Sequence, residues 1–459
     1  MTAPRKQIHL AAHFPGVNST TIWRDPGSRS QTDFSSFVHL ARTAERGRFD
    51  FFFLAEGLRL REHRGRIFDL DVVGRPDSLT VLAALASVTT HLGLAATLNT
   101  TFNEPFELAR QFAALDHLSG GRAGWNAVTS PDAFTGENFR RGGFLDRDNR
   151  YERARELILT THELWDSWAD DAVVADRERG VFVPDSAIGP FEHRGAEFEI
   201  HGRFDAPRSP QGYPVQIQAG DSVGGRELAA ELADVIFTRH GSMRDGQAFY
   251  ADVKGRLPKY GRRPEDLKIV PAATVVLGDT ESEAIEHAAY VKEQQVSPQG
   301  AIAALEQVWG CDLTDHDPDG PVPAFDPDPL GIDQIAQGRV RHITDPVATA
   351  RKWRALAEQN GWSIRRLVIE TGARASFVGT PSAVAGQIDE HVQADAADGY
   401  ILVPHLTPHG LDDFVDKVVP LLQERGSFRT EYGGPTLRDH LDLDRPPSPL
   451  GRVSLEARR

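Results

Sequence analysis

The sequence holds one cysteine, Cys311, in 459 residues. A single thiol excludes an intrachain disulfide and any metal centre built from several cysteines, and it fits a reducing compartment; Cys311 itself reads as a small core or loop residue. Positive charge is also short: 51 Lys and Arg stand against 66 Asp and Glu, a formal net charge of −15. That balance argues against nucleic-acid or anionic-membrane binding and favours solubility. No run of eighteen apolar residues occurs, and the opening MTAPRKQIHLAAHF lacks the apolar centre of a signal peptide, so a soluble cytoplasmic protein is expected. Neither a P-loop nor a G-x-G-x-x-G fingerprint is present, which leaves those nucleotide-binding folds without support.

What is there is a regular alternation. QIHLAAH (Gln7 to His13), FDFFFLAE (Phe49 to Glu56), LGLAATLN (Leu92 to Asn99) and RAGWNAVTS (from Arg122) read as strands. Between them lie the helical segments FSSFVHLARTAERG, DSLTVLAALASVTT and EPFELARQFAALDHLSGG; a long helix follows from Asp148 to about Trp168. YPVQIQAG, ADVIFTRH, LKIVPAATVVLG and GYILVPH add four continuous apolar runs, the pattern of parallel strands buried on both faces. Eight units predict an α/β fold of the (β/α)8 TIM-barrel type. Two stretches exceed the repeat, about 170–212 after strand 4 and about 291–398 after strand 7, the second with the loop-like DLTDHDPDGPVPAFDPDPLG. With a C-terminal extension of about 427–459, they are read as additions to one domain spanning 1–459.

In such a barrel, chemistry sits where strands turn polar at their carboxyl ends. His13, Glu56, Asn99 with Thr100 and Thr101, Asn126 with Thr129 and Ser130, Asp221 with Ser222, Arg239 with His240, and His405 hold those positions; any one alone also suits a turn. Gly120, Gly121 and Gly124 in SGGRAGWNAVTS predict close approach of a bulky ligand to the fourth strand, since glycine inside a strand costs stability. In QAGDSVGGRELAAELAD, Gly220 permits a tight turn and Asp221 or Ser222 can cap a helix beginning near Val223. Its free amides and dipole favour an anion such as phosphate, although an ordinary capped helix meets the same pattern. Metal ligation is not expected. His405 and His409 lie four apart in HLTPHG, but Pro408 breaks a helix between them and no acidic partner is evident; TDHDPDG lacks the twelfth-position Glu of a calcium loop. Arg59, Arg61, Arg64 and Arg66 form either a solvated face or a lid attracting an anion.

TFNEPFELARQFAALDHLSGGRAGWNAVTS resembles over its full length the signature of the bacterial luciferase-like flavin monooxygenases, in the group of nitrilotriacetate and dibenzothiophene sulfone monooxygenases. ARTAERGRFDFFFLAEGL, SPQGYPVQIQAGDSVGGRELAAELAD, SFVGTPSAVAGQIDEHV and DGYILVPHLTPHGLDDFVDKVVPLLQERG are similar to further family segments, in the same order and across nearly the whole chain. The resemblance implies an FMN-binding barrel that uses reduced FMN and O2 to oxygenate or cleave a small organic substrate. It also implies a separate NAD(P)H-dependent flavin reductase and a homo-oligomer, dimer or tetramer. By position it places the flavin ring against Glu56, Asn99, Thr100, Asn126 and Thr129, and the phosphate at Arg147, Tyr151, Gly220, Ser222 and Val223. His13, Glu56, His63 and His405 become candidate acid, base or orienting groups, with Asn126 an anchor for the flavin.

Two positions depart from the family pattern. Glu56 stands where Asp is common, and Arg147 stands where H-x-x-x-Y has His; a guanidinium fork also matches phosphate oxygens. The segment GVNSTTIWRDPGSRSQ differs too, and it is expected to help shape the substrate pocket. Aromatic residues near the strand ends favour a planar heterocycle as substrate. Two readings compete on the same barrel: a non-catalytic flavin-binding protein and a deazaflavin-dependent oxidoreductase. A hydrolase would need a metal or nucleophile constellation, which the sequence does not offer.

Overall fold

The eight apolar runs become the strands of one closed parallel barrel in the computed structural model, which describes residues 5–60, 62–63, 65, 67, 75–130, 133–139, 149–328, 336–337, 345–372 and 376–451. They are β1 (His9–His13), β2 (Phe51–Leu54), β3 (Gly93–Asn99), β4 (Ala123–Val128), β5 (Val215–Ala219), β6 (Val235–Thr238), β7 (Lys268–Ala273) and β8 (Gly399–Leu402). Each strand pairs with its neighbours in this order, and β8 closes on β1 with His9 opposite Gly399. The wall helices are α1 (Phe34–Arg46), α2 (Ser78–Ala86), α3 (Pro105–Ser119), α4 (Arg150–Asp166), α5 (Val223–Leu232), α6 (Met243–Arg256), α7 (Pro381–Gln393) and α8 (Val419–Glu424).

Local chemistry explains these elements. α1 buries Phe37, Leu40, Ala41 and Ala44, a stripe at three- and four-residue spacing. α3 starts on Pro105, where no amide is needed, and stops at Gly120 in the left-handed conformation with φ 71°. Strand residues alternate between two cores. Leu10, Phe52, Leu94 and Trp125 point outward beneath the helices, against Phe37, Phe112 and Ile388. Ala11, Phe51, Phe53, Ala95, Val215, Ile217, Val235, Val270 and Ile401 fill the barrel.

The amino end of the barrel is stoppered by the chain's own C-terminal extension. Leu437 and Leu441, in and after the short helix Leu437–His440, belong to the inner core. Arg429 reaches Asp50 at 2.6 Å, Arg438 reaches Asp234 at 2.8 Å, and the Tyr432 hydroxyl donates to the Phe49 carbonyl at 2.9 Å. The glycines beside β4 serve this stopper. A Cβ at Gly121 would stand 2.8 Å from Thr436 Cγ2, and one at Gly124 would stand 3.4 Å from Leu437 Cδ2 and 3.3 Å from Ala95 Cβ. Gly93 is tighter still, 2.6 Å from Leu437 Cδ1. The expectation that a ligand approaches these glycines is therefore corrected: Thr436 approaches Gly121 and Leu437 approaches Gly124, at the end opposite the strand carboxyl ends, while Gly120 is the left-handed cap of α3 with open space where a Cβ would stand.

The additions also differ in detail from the sequence reading. The stretch between α4 and β5 carries an antiparallel hairpin, Phe191–Arg194 with Glu199–Gly202. LKIVPAATVVLG is not one strand: it leaves the barrel after Ala273, and Val275–Leu277 pairs with Phe377–Gly379 in a separate parallel ribbon. Between the ribbon strands lie helices Glu281–Gln295, Pro298–Trp309, Pro346–Asn360 and Ile364–Thr371, with a core of their own around Leu305, Trp309 and Ile364. α7, placed in the insertion by its sequence position, is barrel wall, with Val384, Ile388 and Val392 in the main core. No helix among the described residues is long and apolar enough to cross a membrane.

Candidate active site

The carboxyl ends of the strands bring most of the candidate residues to one mouth. Alternation along β1, β3 and β4 turns His13, Thr97, Asn99 and Asn126 inward while Trp125 faces out, its Nε1 donating to the Leu98 carbonyl at 3.1 Å. Asn126 Nδ2 donates to Thr97 Oγ1 at 2.9 Å, which fixes the amide. Its Oδ1 and the Nε2 of His13 are buried without a hydrogen-bond partner. Buried polar atoms are rarely left so, and a pair of them at a barrel mouth is what an incoming polar ligand satisfies. Below them, Phe53 stacks on Phe237 with ring centroids 5.6 Å apart, and His13 lies 5.4 Å from Phe53.

Charge at the mouth is set by burial. The His13 imidazole is pushed down to about 3, first by desolvation and then by the Arg75 and Arg239 guanidiniums, so it is neutral at neutral pH. The Glu56 carboxyl is pushed up to about 7, mainly by burial, with the hydrogen bonds from Asn99 opposing. Asn99 Nδ2 lies 3.1 Å from Glu56 Oε2, while Asn99 Oδ1 accepts from the Phe102 amide at 2.7 Å, locking the side chain between strand and turn. Arg75 donates to the Pro15 carbonyl at 2.7 Å. The Thr100 amide and hydroxyl are both engaged by the Val128 carbonyl, at 2.8 and 3.2 Å, and Thr129 follows half-buried.

One strand over, β5 runs into the turn that opens α5. Ser222 caps α5, its Oγ accepting from the Gly225 amide at 3.2 Å and standing 2.7 Å from the Tyr151 hydroxyl. The Val223 and Gly224 amides belong to the first turn and have no acceptor within the helix. Gly224 is required here, because a Cβ would lie 2.8 Å from the Tyr151 ring. Arg150, overlooked in the sequence beside the more family-like position 147, donates to the Tyr151 hydroxyl at 3.1 Å. Arg147 lies outside the described residues, as do Arg61, Arg64 and Arg66.

Comparison with known proteins agrees with this architecture. Residues 16–399 match the family model described as luciferase-like monooxygenase. Nitrilotriacetate monooxygenase component A of Aminobacter aminovorans is 41% identical over 94% of this chain and 95% of its own length. The chain belongs to the luciferase-like monooxygenases. Among solved members, DmoA of Hyphomicrobium sulfonivorans superposes with a TM-score of 0.79 at 30% identity, covering 95% of this chain and 92% of its own. A riboflavin lyase solved with modified FMN and riboflavin gives 0.77 at 28%, covering 95% and 96%.

Within this luciferase-like monooxygenase, two of the candidate histidines stand apart from the mouth cluster. His63 pairs with Glu306 of the helix Pro298–Trp309, and both side chains are buried. It therefore joins the segment after β2 to the insertion. His405 lines a different space, a cavity of about 420 Å³ between the ribbon and the turn after β8. Its imidazole is lowered by burial, with Asp25 opposing and His287 adding, whereas the charges felt by His13 are Arg75 and Arg239. The pairing of His63 had no local sequence signal, since His63 and Glu306 are 243 residues apart.

Proposed function

We propose that the chain is the oxygenating component of a two-component system, in which a separate NAD(P)H-dependent flavin reductase provides reduced FMN and the barrel mouth uses it with O2 to oxygenate or cleave a small organic substrate. The observation that carries this reading is that His13 Nε2 and Asn126 Oδ1 are both unpartnered in the mouth, while the capped α5 terminus opens from β5, the strand beside that of Asn126. Polar atoms for a ring system and amides for a phosphate then stand side by side, and the relatives supply the class of reaction.

Reduced FMN, when bound, supplies the electrons that activate O2. The side chains do the rest. Asn126, held by Thr97, offers its carbonyl oxygen to a ring N–H. Neutral His13 presents Nε2 without adding charge to the mouth. Glu56, its carboxyl pushed up to about 7 by burial, can hold or release a proton at a carboxyl oxygen that Asn99 orients. Phe53 and Phe237 close the floor and keep water out. Tyr151, Ser222 and the Val223 and Gly224 amides hold the phosphate.

The decisive test combines the protein with FMN, a generic flavin reductase, NADH and air, and screens candidate compounds by mass spectrometry. A mass gain of one oxygen or a cleaved product is expected for at least one compound. FMN binding with no product and no substrate-stimulated oxygen uptake across the screen would favour the non-catalytic flavin-binding reading. Ser222→Asp places a carboxylate against the phosphate and is expected to weaken FMN binding at least tenfold, about 1.4 kcal/mol. Fluorescence titration measures this, and unchanged affinity would remove Ser222 from the site.

A further inference from the structure

We propose that His39, His409 and Asp412 form a binding site for a divalent transition-metal ion such as Zn2+, on the barrel wall and apart from the mouth. His39 comes from α1 and the other two from the turn after β8, and one ligand atom from each lies within 4.8 Å of the others. His39 Nε2 stands 2.9 and 3.0 Å from the two Asp412 oxygens, and His409 Nδ1 stands 3.0 Å from Asp412 Oδ2.

Those separations suit an ion. Two donors about 2.1 Å from one metal stand about 3.4 Å apart at the tetrahedral angle of zinc and about 3.0 Å apart at a right angle. An ion displaces the protons now shared between the rings and the carboxylate as the three side chains open by a few tenths of an ångström, and water completes its coordination. Two imidazoles and one carboxylate select Zn2+, Co2+, Ni2+ or Fe2+ over Mg2+ and Ca2+, which prefer oxygen donors throughout. The rings meet edge to face, 4.3 Å between centroids at 68°.

The carboxylate is also oriented from behind. Thr43, one turn along α1 from His39, donates its hydroxyl to Asp412 Oδ1 at 2.9 Å, the kind of outer partner that fixes a ligand. Access is open: His409 and Asp412 line the 420 Å³ cavity, and the three side chains are about a third to a half exposed. In sequence His409 lies four residues from His405; in the structure it meets Asp412 and His39, which lies 373 residues from Asp412. A bound ion would pin α1 to the β8 turn across the seam where β1 meets β8.

The test uses the tag-free full chain, stripped with chelator and without FMN, so it is independent of the flavin reading. Zn2+ is titrated by calorimetry and Co2+ by visible absorption. One equivalent per chain is expected, with a dissociation constant below about 10 µM, a raised Tm and a cobalt band of histidine-ligated type. His39→Ala and Asp412→Asn are each expected to weaken binding at least tenfold, while His287→Gln, elsewhere on the cavity wall, leaves it unchanged. Circular dichroism checks each fold, and His39→Gln replaces the alanine variant if that one does not fold. No binding by the stripped protein, or equal binding by all variants, overturns the site and leaves a hydrogen-bonded His–Asp–His cluster.

Discussion

Glu56→Gln is expected to remove about 2–3 kcal/mol of the change in stability between pH 5 and pH 8. Burial lifts the Glu56 carboxyl from its ordinary 4.5 to about 7, so the folded chain keeps a proton that the unfolded chain releases. The sign follows from the proton count. Stability from the neutral carboxyl is complete below the unfolded value and is lost as pH rises through the folded one, and integrating between pH 5 and pH 8 with these two values gives the figure above. Urea unfolding of the flavin-free protein at pH 5, 6, 7 and 8 measures it. The wild type should lose stability relative to Glu56→Gln as pH rises, and parallel curves would show that Glu56 is ionised in the folded state at neutral pH. If the carboxyl also delivers a proton during turnover, the wild-type rate falls above pH 7 and the glutamine variant lacks that limb.

The same carboxyl shows how far the sequence could be read. Glu56 was legible as a polar residue closing the FFFL run, and Asn99 as the last residue of LGLAATLN, because strands buried on both faces leave polar side chains only at their ends. Their contact, and the shift it modulates, depends on β2 lying beside β3. The α5 cap was equally local: Ser222 precedes a helical pattern and does cap it. Tyr151 came to that turn only through family resemblance, since a helix 71 residues away supplies it.

What was not legible has one physical cause, long-range pairing. The break after Ala273 falls at Thr274, a residue common in strands, so it leaves no clear mark in the run, and Val275–Leu277 is as suited to a second ribbon as to the barrel. His63 and His405 carry no label separating a mouth residue from one buried against Glu306 or facing a side cavity. Only the partner decides.

The glycines of β3 and β4 give the second large effect. Leu437→Ala is expected to cost about 2–5 kcal/mol, since Leu437 is fully buried at the amino end of the barrel and its loss opens a cavity under Ala95 and Val215. The glycine variants then show what the bare backbone is for. Gly124→Ala places a methyl 3.3–3.4 Å from Ala95 Cβ and Leu437 Cδ2, a tight fit costing about 1 kcal/mol, and it should be relieved in the double variant with Leu437→Ala because the leucine tip is one of the two obstacles. Gly93→Ala is a different case. Its methyl would also lie 2.8 Å from the Asp50 carbonyl oxygen, backbone that cannot step aside, so removing Leu437 does not rescue it. Urea unfolding measures the cycle, and fluorescence titration is expected to give FMN affinities within twofold of wild type for Gly124→Ala and Leu437→Ala. A tenfold loss of FMN affinity in Gly124→Ala at unchanged stability would return that glycine to the flavin and take it from the stopper.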